Sequence, residues 1–452
     1  MEKIKDNIFR EYDIRGIYNE DLTDETAYLI GRGFGTHIKS IGQTNTVIGH
    51  DNRLSSPNLT ENLIKGILES GIDVIDLGLV TTPMYYYSKI FYNINSGIMV
   101  TASHNPAIYN GFKVSFEKEK NAYGDSIIML RDLIKSENYS NGIGNLIKKD
   151  ITNDYIELLV NNIKLDKKLK VVVDCGNGTG SIIIKKILDR LNIEYKLIYC
   201  ESDGSFPNHD PDPSLDKNMI ELSEMVKNLN YDLGVGIDGD ADRVGLVDNL
   251  GNTIKTDYYL IVMYKYLYNK LKNKKALFDV KCSRSLIDEL NNIGITPVMY
   301  RTGNSYINAK MIDGDFDFGG EYSGHIYFRD KFLGFDDGIY AGLRMIELLS
   351  NKNTSLNDEL KNIKRYYSTE EIKINTDDIK KFELVDKVKL YCKKNQYEIR
   401  EIDGVRVEFS DSWALIRVSN TTPCLTLRFE AETKERLEEI KNEFIDYINS
   451  LL

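Results

Sequence analysis

Short apolar runs rich in β-branched residues recur along the chain, each ending in Gly, Asp or Ser and followed by helical spacing. Thr46-Val47-Ile48-Gly49, Gly97-Ile98-Met99-Val100, Lys170-Val171-Val172-Val173-Asp174 and Ala276-Leu277-Phe278-Asp279-Val280 are the clearest. Between them, Leu59-x-x-x-Leu63-Ile64-x-x-Ile67-Leu68 and Ile182-Ile183-Ile184-x-x-Ile187-Leu188 read as helices with one buried face. Strands alternating with helices predict α/β units whose functional loops sit at strand ends. The pattern restarts near residues 168 and 274, which points to three similar modules without an exact sequence repeat. After Lys364 the character changes. Runs through Trp413-Ala414-Leu415-Ile416 and Leu425-Thr426-Leu427 predict a small sheet, and a last helix carries Leu437, Ile440, Phe444, Tyr447, Ile448 and Leu451 on one face to pack on it. Polar stretches around 140–152 and 351–358 read as linkers.

The 452 residues suffice for three or four domains, at roughly 100 to 150 residues each. With 42% hydrophobic and 28% charged residues and eight prolines, the composition is that of a soluble globular protein. A net charge of -11 argues against nucleic acid as a general partner but leaves room for a local basic site for a small anion. Cys175, Cys200, Cys282, Cys392 and Cys424 are scattered, odd in number and without Cys-x-x-Cys spacing, so neither a disulfide framework nor a zinc site is expected. A reducing, cytoplasmic setting follows most simply. Met1 to Arg15 lacks the apolar core of a signal peptide, and no stretch reaches the ~20 apolar residues needed to span a bilayer.

The most informative stretch is Asp238-Gly239-Asp240-Ala241-Asp242-Arg243, directly after the apolar run Leu233-Gly234-Val235-Gly236-Ile237. Carboxylates this close repel by about 1 kcal/mol per pair in water and more where water is excluded, so the segment calls for a cation. Oxygen donors without His or Cys favour a hard ion. An EF-hand fails, because its sixth and twelfth positions require Gly and Glu where this chain has Arg243 and Asn249. Magnesium, which keeps room for phosphate oxygens, fits better than calcium.

Three other segments carry chemistry. In Thr101-Ala102-Ser103-His104-Asn105-Pro106, Ser103 sits on a strand-end loop as a candidate nucleophile; the same residues are also ordinary turn formers, and His104 reaches Ser103 only if the loop bends. No Gly-x-Ser-x-Gly elbow supports a hydrolase. Gly319-Gly320-Glu321-Tyr322-Ser323-Gly324-His325 places a carboxylate, a hydroxyl and an imidazole between glycines, an inventory suited to sugar hydroxyls and proton exchange. Arg417-Val418-Ser419-Asn420-Thr421-Thr422-Pro423 joins a forked cation to hydroxyl and amide donors, matching a phosphate dianion.

In this combination and order the four motifs resemble the α-D-phosphohexomutase family over essentially the whole chain, most closely its phosphomannomutase/phosphoglucomutase branch. Phe9-Arg10-Glu11-Tyr12-Asp13-Ile14-Arg15-Gly16, Gly49-His50-Asp51-Asn52-Arg53-Leu54-Ser55-Ser56-Pro57, Asn110-Gly111-Phe112-Lys113, Arg301-Thr302-Gly303 and Gly334-Phe335-Asp336-Asp337-Gly338 extend the match. The resemblance implies three related mixed-sheet α/β domains, at 1–149, 150–252 and 253–364, and a smaller α+β domain at 365–452, around a central cleft. It implies phosphoryl transfer between O1 and O6 of mannose and glucose phosphates through a phosphoserine at Ser103 and a hexose 1,6-bisphosphate, with glucose or mannose 1,6-bisphosphate as activator. Mg2+ would be held by Asp238, Asp240, Asp242 and Ser103. Arg15, Lys113 and His325 would serve proton transfer and charge stabilisation, Arg243 would brace the phosphoserine and His104 its loop. Tyr12, Lys281, Glu321, Ser323 and His325 would bind the sugar, and Arg417, Ser419, Asn420 and Thr421 the distal phosphate. The expected partners are small hexose phosphates, with no nucleic acid and no membrane, in a cytoplasmic monomer or homodimer. Tyr322 stands where the mannose/glucose branch usually has Met, and Asn304 where His is common. The competing readings are phosphoglucosamine mutase, a phosphatase forming an acyl phosphate at Asp238, and a non-catalytic sugar-phosphate binding protein.

Overall fold

Val47, Ile48, Val171, Val172, Val173, Ala276, Leu277 and Phe278 are all buried, as continuous apolar runs must be when helices cover both faces of a sheet. The computed structural model describes residues 4–377, 380–419 and 423–452. The first sheet has six strands in the spatial order Ile14–Ile17, Tyr109–Ser115, Gly97–Val100, Asn45–His50, Asp73–Leu79 and Leu146–Lys148. The second runs Thr253–Ile254, Val244–Val247, Leu233–Ile237, Lys170–Asp174 and Glu194–Ile198, and the third Thr296–Tyr300, Lys275–Asp279, Phe318–Gly320 and Ile326–Phe328.

One motif recurs in all three. A first strand (Asn45–His50, Lys170–Asp174 or Lys275–Asp279) pairs in parallel with its successor on one side. On its other side it pairs in parallel with a third strand. That third strand then passes through a loop into an antiparallel neighbour. The loops at 101–108, 238–243 and 321–325 are therefore equivalent points of three related domains, and each carries one of the predicted motifs. The modules that restart near 168 and 274 thus share their topology.

The fourth sheet is antiparallel, built on Cys424–Ala431, Ser412–Val418, Val405–Glu408 and Glu398–Arg400, with Tyr367–Ser368 and Ile372–Asn375 also paired to Cys424–Ala431. Alternation along these strands divides its faces. Leu425, Leu427 and Phe429 pack with Val405, Val407 and Ile416 against the helices Lys380–Lys394 and Lys434–Asn449. The last helix buries Leu437, Ile440, Phe444 and Ile448, the expected face. The other face, with Arg406, Trp413, Arg428 and Glu430, is turned to the third domain. One apolar core runs through the first three sheets, from Val47 and Tyr85 through Val235 to Phe278 and Leu349, whereas the C-terminal core is separate.

Three expectations are corrected. The polar stretch 140–152 is not simply a linker: Leu146–Lys148 adds a parallel edge strand to Asp73–Leu79, and all three of its residues are exposed, which is why no alternation marks it. The stretch 351–358 holds the end of the helix Gly338–Lys352 and the start of the short helix Leu356–Leu360, begun by the Ser355 side chain accepting from the Asp358 N–H. Finally, Cys175 and Cys200 form a disulfide, contrary to the expectation of none. They follow the parallel neighbours Lys170–Asp174 and Glu194–Ile198, so topology brings together cysteines that share no local motif. Among the described residues no helix is long and apolar enough to cross a membrane.

Candidate active site

Ser103 follows the strand Gly97–Val100 and has φ 50°, a left-handed conformation that is strained for a residue with a side chain. The strain is held by Arg53, which is fully buried. Its guanidinium donates to the carbonyls of Ser103 (2.7 Å), Asn105 (2.6 Å), Pro106 (2.8 Å) and Tyr109 (3.2 Å), while Asp51 lies 3.1 Å from its Nε. Ser103 N–H donates to Thr101 Oγ1 at 2.8 Å. The loop therefore bends, and His104 Nδ1 comes within 3.2 Å of Ser103 Oγ. The turn signals around Arg53 in the sequence do not reveal this role. Arg53→Ala is expected to cost about 3 to 5 kcal/mol, since four carbonyls and Asp51 lose a buried cation. Arg53→Lys should recover little, because one ammonium cannot span the fork. Equilibrium urea unfolding of both variants checks this.

The Asp238–Arg243 loop meets Ser103 from the second domain. Ser103 Oγ donates to Asp238 Oδ2 at 2.8 Å across 135 positions of sequence. Gly239 permits the approach: a Cβ there would stand 2.6 Å from the Ser103 carbonyl oxygen. Ala241, at φ 67°, turns the loop. The three aspartates are buried and offer oxygens within 4.8 Å of one another. Asp240 is fixed by Thr82, whose hydroxyl donates to its Oδ2 at 2.6 Å and whose N–H donates to its carbonyl at 2.9 Å. Behind the loop, Gly338 opens a long helix so close to Arg243 that a Cβ would meet the Arg243 carbonyl oxygen at 2.2 Å.

Charge is unevenly compensated here. Lys113 pairs with Asp240 at 2.7 Å and with Asp242, and although burial opposes its charge, these carboxylates raise its ammonium well above the ordinary lysine range. Burial, with Asp242 and Asp240 beside it, pushes the Asp238 carboxyl well up. Asp240 Oδ1 is buried with no hydrogen-bond partner among the described residues. An all-oxygen set with an orphaned carboxylate oxygen and a serine hydroxyl at its edge fits a hard divalent cation.

His325 from the third domain closes the far wall. Its Nδ1 lies 3.0 Å from Glu321 Oε2 and its Nε2 3.3 Å from Asp242 Oδ1. Burial and Arg243 oppose its positive form, but Asp242 and Glu321 raise it to about 9. By contrast, burial beside Arg243 and Arg15 holds His104 well below the usual imidazole range. The two imidazoles thus differ at neutral pH, His325 charged and His104 neutral. Glu321 Oε1 accepts from Gly303 N–H at 2.6 Å, which orients that carboxylate at the cleft. Arg417 enters from the C-terminal sheet, with Nε 2.9 Å from Asp403.

These groups surround one cleft of about 520 Å³. Tyr12, Arg15, Ser103, His104, Lys113 and Arg243 line one side, and Lys281, Glu321, Ser323, His325, Arg417 and Ser419 the other. Asp238, Asp240 and Asp242 lie behind Ser103, while Asn420 and Thr421 fall outside the described residues. Four further residues were not assigned roles from the sequence. Thr82 holds Asp240. Asn304 lines the cleft and donates to Asp336, whose carboxyl is raised to about 8 by burial and by Asp242. Asn121 donates to Asn304 Oδ1 at 3.3 Å.

Comparison with known proteins agrees with this assembly. Four family models match in order: phosphoglucomutase/phosphomannomutase alpha/beta/alpha domain I at 6–140, domain II at 153–251, domain III at 255–366 and the C-terminal domain at 371–447. A phosphomannomutase/phosphoglucomutase of Pseudomonas aeruginosa is 40% identical over 445 residues, covering 98% of this chain and 96% of that protein. A phosphoglucomutase of Neisseria meningitidis is 39% identical over 454 residues, covering 100% and 98%. The crystal structure of a phosphoglucomutase/phosphomannomutase family protein from Burkholderia thailandensis superimposes with a TM-score of 0.91 at 35% identity, covering 99% of this chain and 98% of that one. With four matched domains in order and identity sustained along nearly its full length, the chain belongs to the phosphoglucomutase/phosphomannomutase family.

Proposed function

We propose that the chain is a mutase that moves a phosphoryl group reversibly between O1 and O6 of mannose and glucose phosphates, through a phosphoserine at Ser103 and a hexose 1,6-bisphosphate. The observation that carries this is the 2.8 Å contact between Ser103 Oγ and Asp238 Oδ2, which unites two domains at the head of a cleft lined with cations. In the forward half-reaction a sugar hydroxyl oxygen forms a bond to the phosphorus on Ser103 as the bond to Oγ breaks, and the hydroxyl proton ends on Oγ or a neighbouring base. Asp238, Asp240, Asp242 and Ser103 would hold Mg2+, which when bound neutralises charge on the phosphoryl oxygens.

The chain's own residues supply the rest. Lys113 and His325, both held cationic, face the reacting end as fixed positive charge. His104, held neutral 3.2 Å from Ser103 Oγ, hydrogen-bonds there without adding charge and so would brace the serine loop. Arg15 is anchored by Asp13 at 2.6 Å and donates to Asn105 at 3.1 Å, which keeps its guanidinium at the cleft wall. Arg417 and Ser419 would hold the distal phosphate, and Glu321 and Ser323 the sugar hydroxyls in either orientation. The bisphosphate must turn around between half-reactions, so polar contacts that tolerate both orientations serve better than a tight apolar pocket.

Rates on mannose 1-phosphate, glucose 1-phosphate and glucosamine 1-phosphate, with Mg2+ and glucose 1,6-bisphosphate present, test the reading. The first two are expected to exceed the third by at least about tenfold, the scale on which unmatched polar groups discriminate. The reverse order would make the chain a phosphoglucosamine mutase. An acyl phosphate at Asp238 is disfavoured because that carboxylate is fully buried and accepts from both Ser103 Oγ and the Arg243 N–H.

A further inference from the structure

Tyr322, the middle residue of the sugar loop between Glu321 and Ser323, is held from outside its own domain. Its N–H donates to Asp279 Oδ1 at 3.1 Å, but its ring faces the guanidinium of Arg428, with the Arg428 Cζ 3.8 Å from the ring centroid. Arg428 belongs to the C-terminal strand Cys424–Ala431, is buried, and donates from Nη1 to the Lys281 carbonyl. Its Nε has no partner among the described residues, so the ring face takes the place of a hydrogen-bond acceptor on that side. The contact continues into the C-terminal sheet. Arg428 Cζ is 5.4 Å from the Trp413 ring centroid, and Arg406 Cζ lies 3.9 Å from the same ring. Arg406 in turn donates to the carbonyls of Val280 at 2.6 Å and Cys282 at 3.0 Å, on either side of Lys281.

Cations and rings thus alternate from Arg406 through Trp413 and Arg428 to Tyr322. The row begins on the sheet that carries Arg417 and ends on the loop that carries Glu321 and Ser323. The C-terminal core is separate from the core shared by the other three domains, so this face is where its orientation is registered. We propose that the Arg428–Tyr322 stack is a positioning device that sets Glu321 and Ser323 against the sugar only when the C-terminal domain is seated with Arg417 on the distal phosphate. The proposal rests on the hexose-phosphate reading above and deepens it: Tyr322 and Arg428 act through their neighbours and not on the reacting atoms. A planar guanidinium over a ring holds both position and tilt, which a flexible side chain at 322 would not do.

The sole tryptophan of the chain lies in this row, so intrinsic fluorescence reports on it without turnover. Titration of the wild-type protein with glucose 6-phosphate is expected to change Trp413 emission saturably. Tyr322→Ala should raise KM for glucose 1-phosphate about five- to tenfold, the scale of a desolvated cation–ring contact. It should raise the glucose 1,6-bisphosphate needed for half-activation in parallel and lose the Trp413 response. Arg428→Lys should do the same, the double variant should be no worse than either single one, and Tyr322→Phe should bring KM back to within about twofold of wild type because the ring is what counts. The proposal is overturned if both single variants keep wild-type KM and emission response, if their effects multiply, or if Tyr322→Phe behaves like Tyr322→Ala. A saturable emission change without turnover of any hexose phosphate would sink the mutase reading alone. Normal turnover with a silent Trp413 would sink the positioning device alone.

Discussion

Ser103→Ala is expected to lower mutase turnover by roughly 10⁴-fold or more, the scale seen when a covalent nucleophile is removed. The variant should still bind hexose phosphates. Ser103 contributes one hydroxyl to the cleft, and most of the groups proposed to hold the sugar and the distal phosphate come from other domains. Its removal also leaves the loop intact, because Arg53 grips backbone carbonyls and not the serine side chain. The left-handed φ of 50° at this position is no easier or harder for Ala than for Ser. A coupled assay from glucose 1-phosphate measures the loss, and incubation with glucose 1,6-bisphosphate followed by peptide mapping should find the phosphoryl label at residue 103 in wild type and nowhere in the variant. Label at Asp238 that hydroxylamine discharges would instead identify an acyl phosphate and overturn the serine mechanism.

The parts of the site legible in the sequence are those in which one short segment carries its own chemistry. Asp238, Asp240 and Asp242 advertise a candidate cation site because charges so close are costly unless matched, and the preceding apolar run places them at a strand end. The same holds for Ser103 and for Glu321 to His325, all on loops that turn a parallel strand into an antiparallel one. Contacts between residues distant in sequence were not legible. Thr82 reads as a helix start, and nothing local says that it grips Asp240, 158 positions away. Arg53 sits in a motif whose glycine and proline signals speak of turns, while its partners lie some 50 positions on. Cys175 and Cys200 follow strands that are spatial neighbours, a relation that topology and not spacing creates. At 322 the departure from the usual branch residue was visible, but its partner Arg428 reads only as a polar position in an alternating strand.

Asp242→Asn tests the cation site from the side opposite Ser103. Asp242 is buried between Lys113 and His325, and Asp238 and Asp240 crowd it. Loss of one carboxylate charge should weaken Mg2+ binding and Mg2+-dependent turnover by at least about 100-fold, since a lost ligand exceeds the effect of a lost outer-shell contact. Isothermal titration with Mg2+ supplies a readout independent of catalysis. Stability offers a second. In the metal-free protein, burial and the neighbouring carboxylates raise Asp238, so the folded state holds a proton that the unfolded chain releases from about pH 4 upward. Protons bound more tightly by the folded than the unfolded state mean that this carboxyl erodes stability as pH rises through that window. Mg2+ at 100 times its Kd should add about 2.7 kcal/mol to wild type near neutral pH, read as a rise in thermal midpoint, and less under acid conditions where the ion competes with that proton. Asp242→Asn removes one of the three clustered carboxylates, so the variant should gain little from Mg2+ at neutral or acid pH. Equal Mg2+-induced shifts in the two proteins would place the cation elsewhere and remove the electrostatic basis for phosphoryl transfer at Ser103.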